Sequence, residues 1–337
     1  MLKLLLTTMD NSALQSGTQL ITLLLRRGQA KMIKGKVGNV PVISAILRVL
    51  DRLLSDQVPE RGTCYVGSLC QLMIFKMGNV IGDNNAKKLI YKVIQRLCHT
   101  TFHALAEDLV CVLARLVHSQ GPARFLKVMA NTQLGSKGPS ALIPTLQVWM
   151  NKYPEFLSGF QKKVALTALG KLVMSGEECM YTLRVPVERM EQKSGRRATR
   201  SNTSKKVVNV TLATRICELL CAEFQEEMVQ AVERQYYEEV SKQNNGFGED
   251  EDDEDGLDIG DMLFMSHFSQ DHEAEEDPEI KNDPLYQVKL LDFIPDTLRR
   301  VGGQANGARI RGIAGEMTNE GRDMLQTAMK YDARQKK

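Results

Sequence analysis

The chain has 337 residues, 43% hydrophobic and 25% charged, enough to bury a large core but long for one globule, so two domains or a repeat array is expected. Aromatics make up only 6% and there is one tryptophan, Trp149, so leucine, valine and alanine must build the core, which favours packed helices over an aromatic-rich β sandwich. The net charge of +3 averages two opposed segments, and seven cysteines without a CxxC pair read as reduced, buried thiols of a cytosolic or nuclear protein.

The apolar start, MLKLLLTTMD, is too short for a secretory signal. No stretch reaches the roughly 18–20 apolar residues that span a bilayer, so no membrane insertion is expected. From residue 1 to 183 one theme repeats: an amphipathic stretch ends at Gly, Pro or Asn, and another begins. Val42, Ile46, Val49, Leu50, Leu53 and Leu54 fall at helical spacing. Leu89, Val93 and Leu97 mark a second stripe, and Leu105, Leu109, Val112, Leu113, Leu116 and Val117 a third. Leu142, Leu146 and Trp149 open another helix after the Gly138-Pro139-Ser140 stop, and Val164, Leu166, Leu169, Leu172 and Val173 form the next. Strand signals are weak. Helix pairs recur about every 35–45 residues, the period of HEAT or armadillo hairpins. The fold class predicted is therefore all-α, a HEAT-repeat (armadillo-like) right-handed α-solenoid in which each hairpin needs its neighbours to cover its apolar face.

Residues 184–206 break the pattern with eight basic residues against two acidic ones, and read as a mobile basic loop. Helices of the same type are expected over 207–245, with helix resuming at about Asn209. Residues 246–282 form an acidic insert. Sixteen acidic residues lie between Glu249 and Asp283 against one lysine, Lys281, so the segment repels itself and is expected to be disordered. Its apolar interruption, Leu257, Ile259, Met262, Leu263, Phe264, Met265 and Phe268, is unusual for a spacer. C-terminal helices are expected over 283–337, with residues 301–315 Gly-rich and irregular and a last helix from Thr318 to Met329.

No GxGxxG, Walker A or GxSxG pattern occurs, so no catalytic residue, cofactor or metal is assigned and the chain is read as a non-enzyme. His99 and His103, four apart on one helix, could chelate a metal, but they lack an HExxH pattern or third ligand and read as ordinary core or surface histidines; Cys217 and Cys221 read as core. In the basic loop Arg196, Arg197, Arg200, Lys205 and Lys206 invite a phosphate-binding or localisation reading. Without interleaved aromatics, direct nucleic-acid binding is not the expectation. The acidic insert carries the functional reading. Glu249, Asp250, Glu251, Asp252, Asp253, Glu254, Asp255, Asp258, Asp261, Glu273, Glu275, Glu276 and Asp277 would attract a basic partner, and Phe264 and Phe268 could bury on contact.

The run NDPLYQVKLL, Asn282 to Leu291, directly after the acidic tract, resembles the C-terminal region of the importin-β (karyopherin-β) family, of its importin-nine type. MLKLLLTTMDNSALQSG, the tract Gly195 to Lys206, and MTNEGRDMLQT, Met317 to Thr327, resemble the family's helix start, arginine- and serine-rich loop and terminal helix, in that order. Residues 29–40 lack the family's helical, partly aromatic character, and residues 299–315 replace an apolar stretch that would complete the last repeat. The resemblance implies a fragment of a nuclear import receptor that binds basic cargo, core histones and ribosomal proteins among them, for Ran-dependent import. It implies shuttling between cytoplasm and nucleus, past the nuclear envelope, with Ran-GTP and nucleoporins bound mainly by an N-terminal half missing here. A non-transport HEAT scaffold or histone chaperone is the alternative.

Overall fold

The structure, a computed structural model, describes residues 1–135, 138–191, 204–244 and 278–332. These residues are all-α apart from two antiparallel hairpins, as the helical period predicts, and the chain divides into two compact units, Met1–Leu157 and Ser158–Lys337.

The first unit runs through α1 (Leu2–Leu5), α2 (Asn11–Lys34), β1 (Lys36–Val37), β2 (Val40–Pro41), α3 (Val42–Leu53) and α4 (Val66–Gln71, prolonged by a π turn). It continues with α5 (Gly78–Ile81), α6 (Asp83–His99), α7 (His103–Gln120), α8 (Pro122–Asn131) and α9 (Leu142–Lys152). The three stripes read from the sequence in α3, α6 and α7 are all buried. Helix α7 is buried on nearly every side, because α4, α6, α8 and α9 all pack against it. Between α7 and α8 the chain turns at Gly121 (φ +85°), and Pro122 opens α8, where its missing N–H costs nothing. Two sequence readings need correction. Helix α2 continues through residues 29–34 across a kink at Gly28, and Val37-Gly38-Asn39-Val40 is a tight hairpin whose Gly38 takes φ +63°. His99 closes α6 and His103 opens α7, so the two do not share a helix face.

Side-chain bonds tie neighbouring helix pairs of this unit one repeat apart. Gln15 donates to the Arg61 carbonyl, Arg52 to the Leu5 and Thr8 carbonyls, Arg96 to the Val58 carbonyl, and Lys152 to the Thr101 carbonyl. The partners in these bonds stand 38 to 51 residues apart. Two further ties cap helices. The first turn of α4 has no cap from its own chain segment; Asp108 of α7 supplies it, accepting from Gly67 N (2.5 Å), Ser68 N (3.2 Å) and Ser68 Oγ (3.0 Å). In return Glu60, just ahead of α4, accepts from Thr101 N and Phe102 N (2.7 Å) at the start of α7. Close approach demands the glycine: a Cβ on Gly67 would sit 2.3 Å from the Asp108 carbonyl oxygen.

Burial pushes the Asp108 carboxyl up to about 7, against the pull of the Ser68 and Gly67 bonds and with the help of the nearby Glu107 charge. Burial raises the nearby thiols of Cys64, Cys70 and Cys111, and the Asp108 charge adds to that rise. A carboxyl raised in the folded state binds its proton more tightly than in the unfolded chain. Its contribution is therefore fully favourable below pH 3.8 and is lost as pH rises through about 7. Urea unfolding at about pH 5 and about pH 8 should show the native protein losing stability relative to Asp108→Asn across that window. A difference that stays constant would show that Asp108 does not titrate with folding.

The second unit contains α10 (Gly159–Met174), α11 (Glu178–Thr182), β3 (Arg184–Glu191), β4 (Ser204–Thr211), α12 (Leu212–Asn244), α13 (Pro278–Lys281), α14 (Leu290–Gly303), α15 (Ala308–Glu316) and α16 (Asn319–Lys330). Helix α10 is its centre, buried from Val164 to Val173 except at Lys171, and α14 packs so closely that a Cβ on Gly170 would meet the Phe293 ring at 2.7 Å. Cys217 and Cys221 lie in the core with Leu220 and Phe224, as read from the sequence. Residues 301–303 and 308–315 are helical, joined by a turn at 304–307, which corrects the sequence reading of 301–315 as irregular. Gln304 Nε2 donates to the Met174 carbonyl at 2.8 Å, the Tyr181 hydroxyl reaches Gln304 Oε1 at 2.8 Å, and the Arg309 guanidinium stacks over the Tyr181 ring. Ala305 and Asn306 take left-handed backbone conformations to make the turn that these bonds hold. Thr318 caps the last helix by accepting from Gly321 N at 3.1 Å.

Candidate functional site

The basic tract is the first feature that the structure corrects. Residues 184–191 and 204–211 are not a loop but two eight-residue strands, in register from Arg184↔Thr211 to Glu191↔Ser204. Helix resumes at Leu212, after the second strand, and not at Asn209. The signal was present in the alternation of Val185 and Val187 on one strand and Val208 and Val210 on the other; Val185, Val187 and Val210 are buried. The charged residues that flank those valines, and Pro186 between two of them, hide the period.

Two cations on the first strand, one at the base and one farther along, hold this hairpin in place. Arg189 pairs with Glu218 of α12, which Arg215 also approaches at 3.4 Å. Glu316, at the end of α15, is the clip. Its carboxylate accepts from Arg184 Nη2 (2.6 Å), Thr211 N (2.8 Å), Thr211 Oγ1 (3.0 Å) and Thr214 Oγ1 (2.8 Å). Partial burial pushes its pKa up, but the bonds from Thr211 and Thr214 and the Arg184 charge outweigh that, and the net value is below the usual 4.5. Lys205 pairs with Glu188 at 2.9 Å in full solvent, where the pair adds little stability. Lys206 lies exposed on β4. Arg196, Arg197 and Arg200 lie outside the described residues.

The acidic insert, from Glu249 to Asp277 with Phe264 and Phe268, also lies outside the described residues, but both of its stems are placed. Upstream it follows directly from α12. Downstream the DPLYQ run docks on α10: Asp283 Oδ1 accepts from Leu285 N at 2.8 Å, and the Tyr286 ring lies against Phe160. Lys163 Nζ donates to the Tyr286 carbonyl at 3.0 Å and sits 5.5 Å from the ring centre. This segment therefore works as an anchor that fixes where the acidic tract rejoins the helical body.

An open cleft of about 490 Å³ is lined by Asp56, Val58, Glu60, Arg96 and His99, but Glu60 and Arg96 are engaged in ties between repeats. Among the described residues no group of three or more His, Cys, Asp or Glu side chains is placed to hold a metal ion, and no helix is long and apolar enough to cross a membrane. Burial pushes the Cys64 thiol up to about 11 and Cys221 to about 12, so both stay protonated near neutral pH.

No protein-family profile matches the chain. Importin-9 of Drosophila melanogaster is 24% identical over 309 residues, which is 88% of this chain and 29% of that protein. The chain is similar to an importin. It spans less than a third of the length of that relative, so the similarity lies within one stretch of a much longer protein.

If Glu316 clips the hairpin to α15, Glu316→Ala should lower stability by about 2–3 kcal/mol, because the buried Thr214 hydroxyl and Thr211 amide lose a charged acceptor. Glu316→Gln should cost less. The native advantage over both should be present above pH 4.5 and disappear as pH falls through the lowered folded value. Urea denaturation across that range measures both effects.

Proposed function

We propose that this chain is part of a nuclear import receptor of the karyopherin-β family, importin-nine type, and that it binds basic cargo without catalysing a reaction. The observation that carries the reading is the similarity to Importin-9 over 88% of the chain. Stacked helical pairs support it, since they present surface rather than an enclosed site.

In this reading the acidic insert screens the charge of the cargo, with core histones and ribosomal proteins as the expected cargo class. Each exposed pair contributes about 0–1 kcal/mol, so the sixteen acidic residues between Glu249 and Asp283 act by number and by speeding encounter rather than by one strong contact. Ran-GTP and nucleoporins would engage repeats of the whole receptor beyond this chain, and the receptor would shuttle between cytoplasm and nucleus.

A pull-down with histone dimers tests the assignment. Deleting Gly248 to Asp277 should reduce capture about tenfold or more near physiological salt. Capture that survives the deletion unchanged would remove the insert from the mechanism. Release by Ran-GTP from the full-length receptor separates transport from a histone chaperone or scaffold that uses the same surface.

A further inference from the structure

Helix α12 outruns the core that supports it. Its first half buries Ile216, Leu220 and Phe224, but beyond Phe224 no described side chain of the helix is buried. The remainder, to Asn244, extends about 30 Å at 1.5 Å per residue. A ladder at four-residue spacing supports this half: Arg234 Nη2 donates to Gln230 Oε1 at 3.2 Å, and Gln230 Nε2 to Glu226 Oε1 at 3.5 Å.

A different face of the same half is apolar. Val229, Val232 and Tyr236, at i, i+3 and i+7, are 52%, 57% and 62% exposed. The Tyr237 ring meets the Tyr236 ring edge-on at 5.7 Å. Helical geometry sets Glu233 along one border of the stripe and Glu239 along the other. Apolar side chains left in water on an otherwise charged helix mark an interaction surface, and the carboxylate borders select its partner. A second copy of α12 would set carboxylates against carboxylates. So would the acidic segment that follows the helix, despite its own apolar residues. A basic amphipathic segment meets both requirements, with its apolar face on the valines and tyrosine and its lysines or arginines toward the glutamates.

We propose that the outer half of α12 is a docking ledge for a basic amphipathic segment of the cargo, with Val229, Val232 and Tyr236 as the apolar contacts. The proposal rests on the reading of a basic partner given above, and it adds a surface distinct from the acidic insert.

Two synthetic peptides of about 18 residues, roughly five helical turns, test it against the full chain by fluorescence anisotropy. One is an amphipathic helix of leucine and lysine, and the other has serine in place of leucine at the same charge. The native chain should prefer the leucine peptide. The triple variant Val229→Ser, Val232→Ser, Tyr236→Ser should lose about tenfold in affinity for the leucine peptide and be unchanged toward the serine peptide. All three side chains are exposed, so its unfolding midpoint should match the native one. Glu233→Lys with Glu239→Lys should weaken the leucine peptide independently. The chain without Gly248 to Asp277 should bind both peptides more weakly and still prefer leucine. If the triple variant binds the leucine peptide as the native chain does, or more tightly, the ledge is wrong while the basic-partner reading stands. If the native chain binds neither peptide, the basic-partner reading falls and the ledge falls with it.

Discussion

Helices α4 and α7 exchange their caps. Asp108 of α7 satisfies the first amides of α4, and Glu60 ahead of α4 satisfies the amides that open α7. Neither helix can start properly without the other, and some 40 residues of chain separate them. This constraint fixes the repeat spacing as firmly as the apolar stripes do. It explains why Gly67 has no side chain, since any Cβ there would collide with the Asp108 backbone. It also explains the tolerance for a fully buried carboxyl in a leucine-rich core. The group is costly when ionised, yet three donors meet it.

The second unit solves a different problem, which is how to hold charged segments at fixed places on a helical body. Glu316 and Glu218 neutralise Arg184 and Arg189 of the hairpin, so those cations secure β3 and β4 and are not offered to a ligand. Tyr286, held by Phe160 and Lys163, pins the chain where the acidic tract ends. Helix α12 carries the chain away from the core before that tract begins. In the proposed receptor, the acidic segment is thus tethered between a long exposed helix and a rigid anchor, and electrostatic capture of a basic partner begins from a defined position.

Much of the fold was legible because a helix announces itself by period. The stripes of α3, α6 and α7 and the burial of Cys217 and Cys221 follow from spacing alone. What the sequence hid depends on partners far away in the chain. The glycines of 301–315 argue against helix locally, and only the contacts of Gln304 and Arg309 with Tyr181 and Met174 settle those residues. The hairpin from Arg184 to Thr211 was hidden because charge surrounds its valines, and the partners of Arg184 and Arg189 lie on α15 and α12. The acidic residues singled out for binding were legible as composition, while their stems, and the role of DPLYQ as an anchor, needed three dimensions.

The central functional claim is that a basic partner is captured by many weak charge pairs spread over a helical surface. Calorimetric titration of histone dimers into the chain over a range of salt concentrations tests it most directly. The account predicts affinity that falls steeply as salt rises from low values through about 0.15 M, where the screening length has shrunk to about 8 Å. Affinity that is independent of salt would contradict it.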